Sequence, residues 1–393
     1  MPPTRAEPFK IAISDTVLAD LAARLRHPRW APDFGNDDWT YGTNRQYLRQ
    51  LVEYWRDRYD WRRQEAEMNR FDHYRTVLSG VPIHFIRQAG KGPKPMPLIL
   101  THGWPWTFWD MQKVIEPLAD PARFGGDAAD AFDVIVPSLP GHGFSTPLET
   151  PGVNAIGTAD LWRALMTDVL GYDRFAAHGA DWGALVTAQL GHKHRDCMIG
   201  IHIANGAPLN FFQTGLPGIE EYADDELPAR ARALERMAEG HGYLAIQSTR
   251  PQTLSYGLVE SPLGLCAWLI DKRREWSDCG GDVERSFTKD ELLTSVMLYW
   301  VTESAGTAAR YYFENRHHPW QPSHDRTPIV DTPTGIIRFK HDVCYAPRRV
   351  MERHYDIRRW TAVPSGGHFA AMESPEILVE DLRAFFRPLR PTT

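Results

Sequence analysis

The stretch RFAAHGADWGALV, Arg174 to Val186, decides how the rest of the chain is read. Its first half is small and apolar, as a buried strand would be, and its second half suits a helix. Between them Gly179 and Gly183 stand two residues either side of Asp181. Only small neighbours let a chain pass from strand to helix so sharply that one side chain stands exposed at the corner. That layout is a nucleophile elbow, and its usual pattern is Gly-x-Ser-x-Gly. Here it is Gly179-Ala180-Asp181-Trp182-Gly183, with an acid where the serine would be.

Working outward, the flanking segments keep one rhythm. VPIHFIRQA from Val81 alternates, PLILTHG and FDVIVPS are short buried-strand runs, and AIGTADLWRALMTDVLG from Ala155 to Gly171 is a helix stopped by glycine. After the elbow GALVTAQLGHKH continues as helix and MIGIHIAN as strand. Strands alternating with helices predict a parallel sheet covered on both faces. From Gly206 to about Thr327 the pattern is helical, with aromatic-rich, proline-punctuated joints. Strand and helix then resume with TGIIRFK, APRRVMERHY, RRWTAVPSGGH and ESPEILVEDLRAFFRP. The first ninety residues carry amphipathic stripes, Leu18-Leu21-Ala22-Leu25 and Leu48-Leu51-Val52-Trp55, that need another surface to cover. The expected architecture is an α/β-hydrolase sheet flanked by helices. Its catalytic domain spans 96–205 and 328–393, with a helical cap at 206–327 and a helical N-terminal extension at 1–95.

Composition narrows the function classes. A net charge of −6 with no basic face argues against nucleic acid. Cys197, Cys266, Cys279 and Cys344 lie far apart without Cys-x-x-Cys spacing, so free thiols in a reducing compartment are expected. The first residues lack the apolar core of a signal peptide, and no run approaches the roughly 18 apolar residues of a membrane span. A cytoplasmic protein without a membrane anchor is the expectation. Metal readings fare poorly: His192 and His194 face apart on a helix, and His317 and His318 are adjacent, so all four are expected as solvated surface histidines. No phosphate-binding glycine signature follows a strand, and neither cofactor nor metal is expected.

An elbow needs partners, and on this fold they follow in the order nucleophile, acid, histidine. His368 lies in SGGHFAAMESPE, on a glycine-rich loop before the last helix, where a base belongs. Asp342, just past the strand TGIIRF, is placed to orient it. In LTHGWPW, Leu100 to Trp106, a His-Gly-x-Pro turn would aim the Trp104 backbone N–H at the elbow. With the N–H of Trp182 it would form an oxyanion hole.

The acid at the elbow then specifies the electrophile. A serine attacking a saturated carbon would leave an ether that water activated by histidine could not cleave. An aspartate makes an alkyl ester on its own carboxylate, which water can hydrolyse at the side-chain carbonyl. Asp181 therefore points to an sp³ carbon, as in an epoxide or an alkyl halide.

These residues resemble the epoxide hydrolases of the microsomal and juvenile-hormone type, α/β-hydrolases with their own N-terminal extension. The resemblance covers roughly Glu7 to Pro388 and rests on FKIAISDTVLADLAARLRHPRW, HGWP, PSLPGHGFS, ADWG, GYLAIQSTRPQTLSYGLVESPLGLCAWLIDKRREW, ARYYFEN and GGHFAAMESPE. It implies Asp181 as nucleophile, His368 as the water-activating base, Asp342 as the charge-relay acid, and Tyr243 and Tyr312 as donors to the epoxide oxygen. It implies an epoxide and water as substrates and a homodimer as the family's assembly, while Trp104, Trp106, Trp109 and Trp182 near the proposed site point to an aromatic-lined pocket and an apolar epoxide. Two departures stand out: Trp106-Thr107 follow HGWP where the family has Gly-Ser, and Ala180 replaces the second glycine of Gly-Gly-Asp-Trp-Gly. The competing readings are a haloalkane dehalogenase, which needs a halide site instead of a tyrosine pair, and a catalytically silent ligand sensor on the same fold.

Overall fold

The structure is a computed structural model and describes residues 5–390. A nine-stranded sheet runs in the order β1-β2-β3-β5-β4-β6-β7-β8-β9. Its strands are β1 (Glu7–Phe9), β2 (Asp72–Leu78), β3 (Val81–Gln88), β4 (Met96–Thr101), β5 (Phe132–Pro137), β6 (Phe175–Ala180), β7 (Met198–Ala204), β8 (Val330–Phe339) and β9 (Tyr355–Val363). The first three strands and the β3–β5 pair are antiparallel, and every pairing from β5 to β9 is parallel. β6 is buried along its whole length, which is why its sequence reads as a small and apolar run, broken only by His178, rather than as an alternation; His178 is met by His202 of β7 at 3.0 Å.

Three of these strands lie in the first 95 residues, so that segment is more than helices and loops and is woven into the sheet. β2 carries no apolar alternation because the side chains it buries are His73, Thr76 and Leu78. His73 and His84 satisfy one another across the β2–β3 pair at 2.9 Å. Polar groups that hydrogen-bond inside a sheet are invisible to a hydrophobic pattern.

The N-terminal helical stripes do find a surface. Helix Asp15–Arg26 is N-capped by Ser14 and helix Arg45–Asp57 by Asn44. Both pack against helix Pro262–Trp276, and the second also against helix Lys289–Val301. Thr43 donates to the Ala267 carbonyl (2.8 Å), Tyr54 donates to Asp290 (2.9 Å), and Tyr59 meets Thr294 (3.0 Å). The segment therefore adds strands to the sheet and clasps the helices inserted between β7 and β8.

Two histidines depart from expectation. His192 is fully buried, its Nδ1 against the Ile329 carbonyl (2.6 Å) and its Nε2 accepting from the Ser323 N–H (2.9 Å). His194 is paired with Asp160 at 2.7 Å. Their opposite facing on the helix is what lets one enter the core. The four cysteines are unpaired, and Cys266 and Cys279 are buried. No single helix among the described residues is long and apolar enough to cross a membrane.

Candidate active site

β6 ends at Ala180, and Asp181 leads directly into helix Trp182–Lys193 with φ 55° and ψ −126°. A side chain in that region costs on the order of 1–3 kcal/mol, which the surroundings must over-determine. The glycines do so by contact. A Cβ on Gly179 would lie 2.0 Å from the Gly183 carbonyl oxygen, and one on Gly183 would lie 2.1 Å from that of Thr101. Helix, elbow and β4 are thus packed backbone to backbone. Gly103 makes the opposite wall: a Cβ there would lie 2.2 Å from Asp181 Oδ1.

The groups expected to act together meet at this corner. The Trp104 N–H donates to Asp181 Oδ1 at 2.8 Å. His368 Nε2 lies 3.3 Å from Asp181 Oδ2, and His368 Nδ1 lies 2.5 Å from Asp342 Oδ1. No hydrogen bond joins the Trp182 N–H to the Asp181 carboxylate. Asp342 is fixed in turn by the Val343 N–H, which donates to the same Oδ1 at 2.7 Å.

Burial by itself would lower the pKa of His368. The charge of Asp342 and the Asp181 carboxylate 3.3 Å away outweigh it and raise the value to about 10. The carboxylates on either side therefore favour the protonated imidazole.

Across a cavity of about 120 Å³ stand Tyr243, on helix Gly242–Thr249, and Tyr312, on helix Ala305–His317. Their rings meet edge to face, 5.8 Å apart. Trp104 stacks on Tyr243 at 5.0 Å, and Trp182 sets its ring perpendicular to Tyr312 at 4.7 Å. Burial, followed by the charge of Asp181, holds Tyr243 above the ordinary tyrosine range. Burial, followed by Tyr243 and Asp181, does the same for Tyr312. Tyr311 faces elsewhere, its hydroxyl 2.8 Å from that of Thr158. Phe211, Phe212, Leu185, Leu244 and Met237 complete an apolar lining. A larger cavity of about 490 Å³ shares Trp182, Phe212, His241, Leu244 and Tyr312 as its wall.

Trp106 does not crowd this cavity. It is fully buried behind His368, with ring centroids 5.5 Å apart, and against Phe369. Asn205 was not singled out from sequence, yet it lines the cavity at the end of β7. It has φ 53° and accepts from the Phe339 N–H at 2.8 Å, bracing the turn into Asp342. An asparagine closing a strand tolerates the left-handed region, and that was the available signal. Arg273 and Asp110 were also missed. They form an ion pair of 2.6 Å with both side chains almost fully buried. Arg273 Nη2 further donates to the Pro105 carbonyl at 3.3 Å, which braces the turn that presents Trp104.

A mixed sheet, a strained elbow after β6, an acid after β8 and a histidine after β9 define an α/β-hydrolase. Residues 96–240 match the model of the alpha/beta hydrolase fold, and residues 6–111 match that of the epoxide hydrolase N terminus. The chain is 42% identical over 387 residues to a Stigmatella aurantiaca protein provisionally named an epoxide hydrolase, covering 98% of this chain and 85% of that one. It is 34% identical to epoxide hydrolase 1 of Oryctolagus cuniculus, covering 96% and 88%. The juvenile hormone epoxide hydrolase of the silkworm Bombyx mori superposes with a TM-score of 0.86 at 29% identity, covering 98% and 95%. The chain belongs to the epoxide hydrolase family.

Proposed function

We propose that the enzyme converts an apolar epoxide and water to a vicinal diol through an alkyl ester on Asp181. One observation carries the reading: the two oxygens of the elbow carboxylate are already distinguished. Oδ1 is held by the Trp104 N–H, while Oδ2 is free of backbone donors and lies on the His368 side. Oδ2 is then the attacking atom. It bonds to an epoxide carbon as that carbon's ring C–O bond breaks, and Tyr243 and Tyr312 supply the proton to the departing oxygen. A tyrosine kept neutral by burial suits that task, because an alkoxide is a far stronger base than a halide. The same pair favours an epoxide over the alkyl halide of a dehalogenase.

Ester formation removes one of the two negative charges that hold the His368 proton. The imidazole pKa must fall, and its proton restores the tyrosine pair. Neutral His368, steadied by Asp342, then takes a proton from water as the water oxygen attacks Cγ of Asp181. Oδ1 carries the developing charge against the Trp104 N–H, and we assign the Trp182 N–H as the second donor. The bond from Cγ to the alkyl oxygen breaks, the diol leaves with one water proton, and the other returns to His368. The carboxylate is restored carrying the water oxygen. Residues 206–327 serve as the cap that brings both tyrosines over the elbow.

A single turnover with enzyme in excess in ¹⁸O-labelled water tests the ester. Label is expected in the Asp181 carboxylate and absent from the first diol. Label entering that diol directly would mean that water attacks the ring, and Asp181 would lose its role.

A further inference from the structure

Helix Pro262–Trp276 ends against the loop that carries His368, and the two are joined repeatedly. The His368 N–H donates to the Trp276 carbonyl at 2.8 Å, satisfying one of the helix's last carbonyls. The Gly366 N–H donates to Asp278 Oδ2 at 2.8 Å. Glu373 closes the clasp with both its oxygens: Oε2 accepts from the Asp278 N–H at 2.7 Å and Oε1 from the Phe369 N–H at 2.9 Å. Gly367 permits the approach, since a Cβ there would lie 2.7 Å from the Asp278 nitrogen and from the Trp276 carbonyl oxygen. The Trp276 ring stands edge-on to the His368 imidazole at 5.2 Å.

Asp342 fixes one nitrogen of the imidazole, but a single hydrogen bond leaves the ring free to travel with its backbone. The backbone either side of His368 is set by this clasp, in which Asp278 bonds the Gly366 N–H while Glu373 accepts from a backbone N–H on each of the two joined segments. We propose that Glu373 is a positioning residue, which holds the His368 imidazole where water must be activated and so governs hydrolysis of the ester rather than its formation. Ester formation uses Asp181, the Trp104 N–H and the tyrosines, none of which Glu373 touches. The inference rests on the ester mechanism proposed above, but the placement of the imidazole can be observed without substrate.

The test compares wild type with Glu373→Gln and Glu373→Asp. Glutamine keeps the shape but turns its NH₂ toward one of two backbone donors, so the clasp opens. Aspartate keeps the charge on a shorter arm. In ligand-free protein with ¹⁵N-labelled histidine, the Nδ1 proton of His368 should be strongly downfield because of its short bond to Asp342. Glu373→Gln should shift or broaden that resonance, and Glu373→Asp should largely retain it. In rapid-quench single turnovers with styrene oxide, Glu373→Gln should form ester within about threefold of the wild-type rate. Its hydrolysis should slow by roughly 10- to 100-fold, the scale of a small misplacement of a catalytic group. Glu373→Asp should recover most of that loss.

A Glu373→Gln enzyme with the wild-type resonance and both steps unchanged would overturn the proposal. Equal loss in both steps, accompanied by a lower melting temperature, would overturn it too by reducing Glu373 to a structural brace. A wild type that forms no ester, while Glu373→Gln still moves the resonance, would sink the ester mechanism and uphold the positioning of the imidazole.

Discussion

Tyr243 and Tyr312 face the same cavity, while Tyr311, next along the helix, bonds Thr158 and faces away. Adjacent helical residues point about 100° apart, so one segment supplies both the proposed donor and its control. Tyr243→Phe or Tyr312→Phe should slow diol formation roughly 10- to 1000-fold, at the lower end of what general acids contribute. The double variant should be nearly inactive and Tyr311→Phe close to wild type, all measured as diol release from styrene oxide. A double variant that opened epoxides would dismiss the tyrosines as donors. His368 gives a second expectation, in stability. Its pKa is raised to about 10 from the ordinary 6.5. The imidazolium's pairing therefore stabilises the fold fully below pH 6.5, weakens above it, and is gone beyond pH 10. The stability difference between wild type and His368→Gln should shrink in that direction across the window, followed as melting temperature against pH. A difference that grew with pH would contradict the ion pair.

At the scale of elements, the elbow is a three-way backbone junction of β4, β6 and helix Trp182–Lys193. Gly183→Ala would drive a methyl into the Thr101 carbonyl. Rigid backbone on both sides cannot yield, so the cost should reach at least about 3 kcal/mol, the upper end for overpacking. Gly257, inside helix Pro251–Glu260, is the contrast, because nothing lies within 4 Å of its Cβ position. Gly257→Ala should gain up to about 1 kcal/mol in helix propensity. Urea unfolding of the two variants against wild type reads both signs, and a tolerated Gly183→Ala would refute the junction. This junction was legible in the sequence because two glycines around an acid encode a local geometry. The partners Asp342 and His368 were legible because each closes a strand in a fixed chain order. β2 was not, since its buried residues are polar. Nor were Asp110, Arg273 and Glu373, whose roles depend on partners more than ninety residues away, as in Arg273 with Asp110, or on backbone amides, as in Glu373 with Asp278 and Phe369. Periodicity reports which face of an element is buried and not what that face will meet.

Across the whole molecule, one inserted helix reaches two working loops at once. Arg273 braces the turn of Trp104, and the Trp276 carbonyl and Asp278 hold the loop of His368. The N-terminal helices pack on the outer side of that same helix. Arg273→Met would strand the Asp110 charge in the interior, and breaking a buried pair this way costs about 3–5 kcal/mol. Replacing both, as Arg273→Met with Asp110→Leu, removes the stranded charge and should recover much of the loss. Thermal melts of wild type, single and double variants measure the difference. A single variant as stable as wild type would show that the pair does not tie the insertion to the sheet.

The order of the chain adds a consequence in time. Translation delivers Asp181 first, Tyr243, Arg273 and Tyr312 next, and Asp342 and His368 last. The residues of the elbow are therefore synthesised well before those that the proposed mechanism uses to clear an ester from it. On the proposed mechanism, a chain with the elbow and both tyrosines but without the His368 loop would be alkylated once, with no means of release. If the ester forms as proposed, the latest-made loop is also the one that turns a single-use trap into a catalyst.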